Sequence, residues 1–353
     1  MGKTVSCQNM ILRGFMVVVV FVCFTLNIDQ SYAQSDKPLY ELKVNLQFPA
    51  ADFRFVDGFK PLEDRIEKAS GGKVKFVNFF SSALSPPTET YQSVVDGIAD
   101  LCWTPTGYYA GRFPMSDVLY LYQFQPIKRA SRIFWELYKE FPELRAEYAD
   151  TKVLFLQSTI PQGLETAKKR VTKLEDLKGL KMYGSGQWAV PQIKALGMSP
   201  VILPFPEIYL GVQKKTLDGC ASCSEIYLKG RNFADIMKYH MEVQLNLIPI
   251  VWAMNLETWN KLPPEIQKII DDNCGENYVD SLDVAEVNAI NEAREFATAK
   301  GVEFVKISDE ELDRWKKAVE PVRDQYIAAL EAKGLPGKKY VARFIELVEQ
   351  YAK

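Results

Sequence analysis

Apolar and polar residues alternate along residues 41–48 (ELKVNLQF), and this period of two predicts a β-strand. Residues 52–69 follow with apolar side chains at helical spacing, and Gly71-Gly72 marks the end of that helix. The same pattern predicts a strand at residues 74–80, a helix at residues 88–95 and a strand at residues 99–103. This β-α-β-α-β order predicts a parallel sheet covered by helices.

The pattern starts again near Lys152, which indicates a second α/β unit. Its predicted strands and helices lie at residues 153–158, 180–183, 187–196, 200–203 and 220–223. Residues 248–255 form one more predicted strand, and the rest of the chain is predicted to be helical. Because no low-complexity linker separates the two units, we expect two lobes joined by short crossing strands.

The N-terminus has the three-part pattern of a secretory signal. Basic residues precede an apolar run, FMVVVVFVCFTL at residues 15–26, and Ser31-Tyr32-Ala33 supplies small residues for a signal peptidase. The run is shorter than the roughly 20 apolar residues of a membrane span. We therefore predict a signal peptide over residues 1–33, cleaved after Ala33, and a periplasmic protein. An uncleaved N-terminal anchor is the alternative.

Composition argues against several classes of function. The chain carries 43 basic and 45 acidic residues, so no excess of positive charge favours nucleic-acid binding. No metal site is predicted, because His240 is the one histidine and no second cysteine pair has ligand spacing. Cys220 and Cys223 follow a turn instead of opening a helix. That context favours a structural disulfide or two free thiols over redox catalysis.

Gly184, Gly186 and Ala189 fit the spacing G-x-G-x-x-[GA] of a dinucleotide-binding turn. That fingerprint belongs in the first β-α unit of its domain, whereas this turn follows another strand and helix. An exported protein also has no pool of NAD. We therefore interpret the turn as a strand end and a helix N-terminus that face a ligand crevice. An exported oxidoreductase is the alternative from another class of function.

Residues 172–219 contain a distinctive series of short motifs. They are Glu-Asp-Leu-Lys-Gly-Leu-Lys, a helix end Ala-Leu-Gly-x-x-Pro, Pro-x-x-Glu-x-Tyr and a final Asp-Gly. This stretch resembles the signature of the periplasmic solute-binding proteins of TRAP transporters, the DctP-like family. GGKV, VVDGIADL and WNKLPPEIQKII, at residues 71–74, 94–101 and 259–270, extend the resemblance over nearly the whole mature chain.

The resemblance implies an α/β, two-lobed periplasmic-binding-protein fold with crossing strands, a long hinge-crossing helix and a long helical C-terminal region. Residues 34–157 would form lobe I and residues 158–250 lobe II, while residues 251–353 would supply a crossing strand and the helical region that returns to lobe I. It implies a monomer that closes on one small organic anion and delivers it to TRAP-type membrane permease subunits. It implies no catalysis, no metal, no cofactor and no nucleic-acid partner.

Two positions depart from the pattern of this family. Most members carry an arginine that binds the solute carboxylate with two hydrogen bonds, and this chain has Tyr183 there. An asparagine often found after the Asp-Gly is also absent, and Ala221-Ser222-Cys223 stands in its place. We therefore expect Tyr183 and Ser222 to lie in the cleft, but we do not expect them to bind the carboxylate as the arginine of the family does. We expect the anion to meet Arg54, Tyr183 or the backbone amides near Gln187.

Residues near predicted strand ends supply the candidate ligand-binding site. The candidates are Gln47, Arg54, Trp103, Tyr108, Tyr183, Gln187, Trp188, Phe205, Ser222 and Trp252. A place in the core is the alternative for Trp252, and a place on the surface is the alternative for Arg54. The aromatic candidates predict stacking on a flat ligand, and hence an aromatic or indole-type carboxylate or an aromatic amino acid. A small polar anion, such as a C4-dicarboxylate, hydroxy acid or sulfonate, is the alternative solute.

Overall fold

The computed structural model describes residues 39–124, 127, 129–159 and 161–351. The predicted signal peptide and its cleavage site lie outside these residues. Within the described ranges, no helix combines the length and the apolar character needed to cross a membrane. Helices and two separate β-sheets form the fold, as expected for an α/β protein.

The strands are short and belong to two mixed sheets. In chain order, β1 to β11 are Tyr40–Asn45, Val74–Phe79, Leu101–Pro105, Thr151–Ser158, Gly163–Thr166, Lys181–Tyr183, Ser199–Val201, Gly219–Cys223, Tyr239–Met241, Pro249–Asn255 and Glu303–Val305. The first sheet has the order β2-β1-β3-β10-β4, and the second has the order β11-β9-β5-β8-β6-β7.

The first sheet differs in part from the predicted parallel sheet. β1 pairs in parallel with β2 and β3, as the β-α-β-α-β order predicts. β10, however, lies antiparallel between β3 and β4. The sheet is mixed because this strand enters from the C-terminal part of the chain in the opposite direction.

The second sheet contains three strands that the sequence pattern does not reveal. β5 has four residues, and β9 and β11 have three each. Such short segments cannot display a recognisable alternation. β11 also interrupts the C-terminal region that the pattern assigns entirely to helices.

Helices cover the sheets and connect them. In chain order, α1 to α12 are Lys60–Ala69, Thr90–Val95, Ala130–Glu140, Pro142–Ala146, Ala189–Ala195, Ile208–Gln213, Ile226–Gly230, Leu256–Lys261, Pro264–Asn273, Val279–Ala299, Asp309–Glu331 and Gly337–Tyr351. A π-helical turn at Arg54–Phe59 leads directly into α1. Turns of this kind are often found at functional sites.

Two α/β lobes result, and several elements connect them. The chain passes from the first sheet to the second between β4 and β5, returns between β9 and β10, and passes to the second sheet again between β10 and β11. The long helix α10 packs against α3 and β4 of the first lobe and against α7 of the second. α11 similarly contacts both α5 and α12.

A buried ionic cluster stabilises the second lobe. His240 Nε2 lies 3.1 Å from a carboxylate oxygen of Glu225, and its Nδ1 lies 3.4 Å from one of Glu165. Burial alone would lower the pKa of His240, but the two carboxylates outweigh this and raise it to about 9. Arg294 of α10 also donates to Glu225, at 2.9 Å. The cluster therefore connects β5 and β9 with α10 and the start of α7.

Candidate ligand-binding site

A cavity of about 320 Å³ lies where the two lobes face one another. Its first-lobe lining includes residues at or just after the ends of β1 and β3, and its second-lobe lining includes residues at or after the ends of β6, β7 and β8. Within each sheet these strands run parallel, so their carboxyl ends meet at one edge. Open α/β sheets bind ligands at such edges, and the volume is at the lower end of the roughly 300–1,000 Å³ of small-molecule sites.

Seven aromatic side chains line this cavity. They are Phe48, Trp103, Tyr108, Tyr120, Tyr183, Phe205 and Tyr227. Trp103 is held in place by its indole N–H, which donates to Gln157 at 2.9 Å, and by edge-on packing against Phe48 at 5.1 Å. On the opposite side, Phe205 packs against Tyr227 with ring centroids 4.8 Å apart. These contacts preorganise flat apolar surfaces on both sides of the cavity.

Arg54 lies in the cavity wall with its charge already paired. Its Nε and Nη2 donate to the two carboxylate oxygens of Asp52 at 2.7 and 2.6 Å. Its guanidinium lies 4.6 Å from the ring centroid of Phe48 and 5.2 Å from that of Trp103. Burial would raise the pKa of Asp52, but the hydrogen bonds and charge of Arg54 lower it overall. Both groups are therefore ionised, and the pair is electrically neutral.

The glycines of the turn at residues 184–189 allow close packing. A Cβ at Gly184 would lie 2.4 Å from Ile193 of α5, so this glycine lets the helix approach the strand. Gly186 has a φ of +78°, and a Cβ there would lie 2.7 Å from ring atoms of Tyr120, a residue of the first lobe. The space beside Gly186, where a dinucleotide phosphate would approach, is thus occupied by the Tyr120 ring.

Most of the predicted site residues line the cavity. They are Gln47, Arg54, Trp103, Tyr108, Tyr183, Phe205 and Ser222. Whether they contact a solute stays a prediction at this point. The hydroxyl of Ser222 is held by the Ala221 carbonyl at 2.7 Å and by the Asn246 side-chain oxygen at 3.2 Å. Arg54 lies in the cavity wall, so the alternative of a simple surface charge does not describe its position.

The structure places the other three candidates away from the cavity lining. Gln187 donates to Asp117 of the first lobe, a carboxyl whose pKa burial raises to about 7. Trp188 packs edge-on against Tyr326 of α11, with ring centroids 5.0 Å apart. Trp252 is fully buried. Its strand, β10, lies between two other strands, and the rings of Phe59 and Phe155 pack against the indole. The core alternative is therefore correct for Trp252.

Several residues that line the cavity are not among the predicted candidates. Tyr120 lies in the apolar stretch VLYLY, which resembles any core segment. Tyr227 and Arg231 lie in and just after α7, where their pattern resembles an ordinary surface helix. No local sequence pattern predicts that Tyr227 and Arg231 line the cavity, because their position there depends on how α7 packs in the second lobe.

The cysteine pair is structural in its setting. Cys220 and Cys223 are joined by a disulfide and fully buried in β8, and neither lies at a helix N-terminus. Cys102 and Cys274 are free and buried, and burial raises the pKa of each thiol to about 12. Across the part of the chain that the structure describes, no group of three or more His, Cys, Asp or Glu is arranged to hold a metal ion.

A sequence model described as bacterial extracellular solute-binding protein, family 7, the DctP family, matches residues 48–329. The chain belongs to this family. Comparison with solved structures agrees: a TRAP solute-binding protein from Rhodoferax ferrireducens T118, in complex with copurified benzoate, is 27% identical. The alignment covers 88% of this chain and 98% of that one, with a TM-score of 0.82.

Two further relatives of this family 7 protein are each 24% identical to it. A marine metagenome TRAP solute-binding protein, specific for aromatic acid ligands and crystallised with 3-hydroxybenzoate, is 24% identical; 90% of this chain and all of that one are covered, with a TM-score of 0.83. A monocarboxylate 2-oxoacid-binding periplasmic protein from Nostoc sp. is 24% identical over 79% of this chain and 77% of its own length.

The family assignment tests several of the expectations. The two-lobed α/β binding-protein fold and the resemblance to TRAP receptors are confirmed. Family 7 relatives are transport proteins and not enzymes, so the oxidoreductase alternative is wrong. TRAP solute-binding proteins bind small organic anions and deliver them to membrane permeases. Named homologues are periplasmic, which is consistent with the predicted export.

Proposed function

We propose that this TRAP solute receptor binds an aromatic or indole-type carboxylate, or an aromatic amino acid, between its lobes. The observation that carries the proposal is the cavity wall of seven aromatic side chains. A ring that buries about 100 Å² of apolar surface gains roughly 2.5 kcal/mol, and good ring geometry adds about 0.5–1.5 kcal/mol. The benzoate that copurified with the 27% identical Rhodoferax protein supports the same class of solute.

We propose direct solute contacts for the predicted residues that line the cavity. Trp103 and Tyr108 face the solute from the first lobe, and Tyr183 and Phe205 face it from the second, with Ser222 as a polar contact. We further propose that residues 1–33 are a signal peptide, that the mature protein is a periplasmic monomer, and that the closed form delivers the solute to the TRAP permease subunits.

Thermal melting against a solute panel tests the proposed class. The panel contains benzoate, phenylacetate, indole-3-acetate, phenylpyruvate and tryptophan, with succinate, lactate and taurine as small polar anions. Ligand at 100 times its dissociation constant stabilises the folded form by about 2.7 kcal/mol, so the correct class should raise the midpoint clearly. A shift with succinate, lactate or taurine, and none with the aromatic compounds, would show that the cavity binds a small polar anion.

Titration calorimetry on two tyrosine variants tests the role of the wall. Tyr108 lines the cavity and is 41% exposed, so Tyr108→Leu should fold normally. It should weaken binding of the aromatic acid roughly two- to tenfold through loss of ring contact. Tyr209→Leu is the matched control, because Tyr209 packs outside the cavity in the second lobe. Equal affinities of the two variants would contradict the proposed ring contact.

A further inference from the structure

Two charged side chains, Arg54 and Arg231, line the cavity among the residues that the structure describes. The charge of Arg54 is compensated. Asp52 accepts two hydrogen bonds from it, and the buried carboxylate of Glu286 acts on it electrostatically from a small adjoining pocket. A solute carboxylate that approached Arg54 would therefore meet a paired group with no net positive charge to offer.

Arg231 is in a different position. It follows the last residue of α7, its backbone N–H donates to the Tyr227 carbonyl at 3.0 Å, and its side chain is exposed at the cavity. No ion pair and no side-chain hydrogen bond of Arg231 is found within the described ranges. Burial raises the pKa of Tyr108, and the charges of Arg54 and Arg231 oppose this rise, which places both cations near the same part of the wall.

The neighbouring cation on α7 shows the contrast. Lys229 lies two residues earlier, and its Nζ binds Glu292 of α10 at 2.7 Å. It is absent from the lining of the cavity between the lobes. Arg231, just after this helix, thus brings to the cavity a positive charge that forms no ion pair within the described residues.

Neutral hydroxyl groups line another part of the wall. Tyr120 and Tyr183 are buried there beside Ser185, and the strongest effect on the pKa of both phenols is burial, which raises it. Neither Arg54 nor Arg231 is among the groups that shift these two phenols. A carboxylate placed in this part would lose its hydration without gaining a counter-charge, which is costly.

We propose that Arg231 is the specificity-determining partner of the solute carboxylate, and that the cavity selects monocarboxylates over dicarboxylates. This inference rests on the proposed function, since it requires an organic anion in the cavity. The guanidinium of Arg231 binds the one carboxylate with charge-assisted hydrogen bonds, and the aromatic and hydroxyl-lined wall holds the ring. Among the described residues that line the cavity, no further cationic side chain without a carboxylate partner remains for a second carboxylate.

Calorimetry with charged and neutral probes tests this assignment. The probes are benzoate, phenylacetate and indole-3-acetate, each beside its primary amide, with terephthalate as the dicarboxylate. In the wild type, the acid that binds best should have a higher affinity than its primary amide. Terephthalate should bind more weakly than benzoate. Arg231→Gln should weaken binding of the acid about tenfold or more, as expected for a hydrogen bond to a charged group, and should leave the amide nearly unchanged. The affinity of Arg231→Lys for the acid should lie between those of the wild type and Arg231→Gln, because an ammonium keeps the charge but not the planar guanidinium.

A control variant and the possible negative results distinguish the Arg231 assignment from the proposed function. Lys229→Gln removes a positive charge two residues away and should leave all affinities unchanged. Arg231 is exposed, so the melting temperature of each variant without solute reports whether folding is intact. If the wild type binds aromatic acids and Arg231→Gln binds them equally well, or loses acid and amide equally, the Arg231 assignment is wrong while the proposed function stands. If the wild type binds none of the acids, both proposals are wrong.

Discussion

Replacing Gly186 by alanine tests how the turn at residues 184–189 meets the first lobe. Two costs arise in this variant. The backbone φ of +78° is unfavourable for a residue with a Cβ, by about 1–2 kcal/mol. The new Cβ would also lie 2.7 Å from ring atoms of Tyr120, which is fully buried. Overpacking of this kind costs about 1–3 kcal/mol, so the total loss of unfolding free energy should be about 2–5 kcal/mol.

Gly197→Ala is the matched control for this variant. Gly197 has a φ of +82°, and the nearest atom to a Cβ there is the Cα of Lys178 at 3.8 Å, an ordinary contact distance. Its substitution should therefore show the backbone cost alone, about 1–2 kcal/mol. The difference between the two variants isolates the contact between Gly186 and Tyr120.

Urea unfolding and solute titration provide the two measurements. Gly186→Ala should unfold at a clearly lower urea concentration than Gly197→Ala. It should also bind the solute more weakly, because Gly186 and Tyr120 both line the cavity and the displaced ring would enter it. Gly197→Ala should keep the wild-type affinity. If the two variants lose equal stability and both bind normally, the Tyr120 ring does not pack against Gly186 in solution.

Three further predictions concern charges and the disulfide. Asp52→Ala should lower the free energy of unfolding by about 1.5–3 kcal/mol, because it leaves the Arg54 guanidinium without its partner; urea unfolding measures this, and an unchanged midpoint would contradict it. His240 has its pKa raised from 6.5 to about 9, so its contribution to stability is complete below pH 6.5 and is lost as the pH rises through about 9. The stability difference between wild type and His240→Gln should accordingly shrink from pH 6 to pH 10, and a constant difference would refute the charged state. Serine at both Cys220 and Cys223 should cost about 2 kcal/mol for so short a loop and leave solute affinity nearly unchanged; insulin-reducing activity in the wild type that disappears in the double variant would contradict a structural role.

The sequence alone determined the longer local elements and their order, but not the short strands β5, β9 and β11. The alternation at residues 41–48 and the helical spacing at residues 52–69 depend on near neighbours, and the structure has β1 and α1 there, with a π-helical turn between them. Strand ends can be located in the same way. Trp103, Tyr108 and Tyr183 could therefore be predicted to lie at one edge of their sheets, and they line the cavity.

Tertiary structure alone decided which of these side chains are available to a ligand. Trp103 and Trp252 are direct cross-strand partners, yet Trp103 lines the cavity while Trp252 is enclosed by rings from the π-helical turn and from β4. Arg54 and Arg231 look equally basic in the sequence, but the structure gives Arg54 a carboxylate partner and leaves Arg231 without one within the described residues. The physical reason is that burial and charge compensation depend on residues far away in the chain, and a local pattern contains no information about those neighbours.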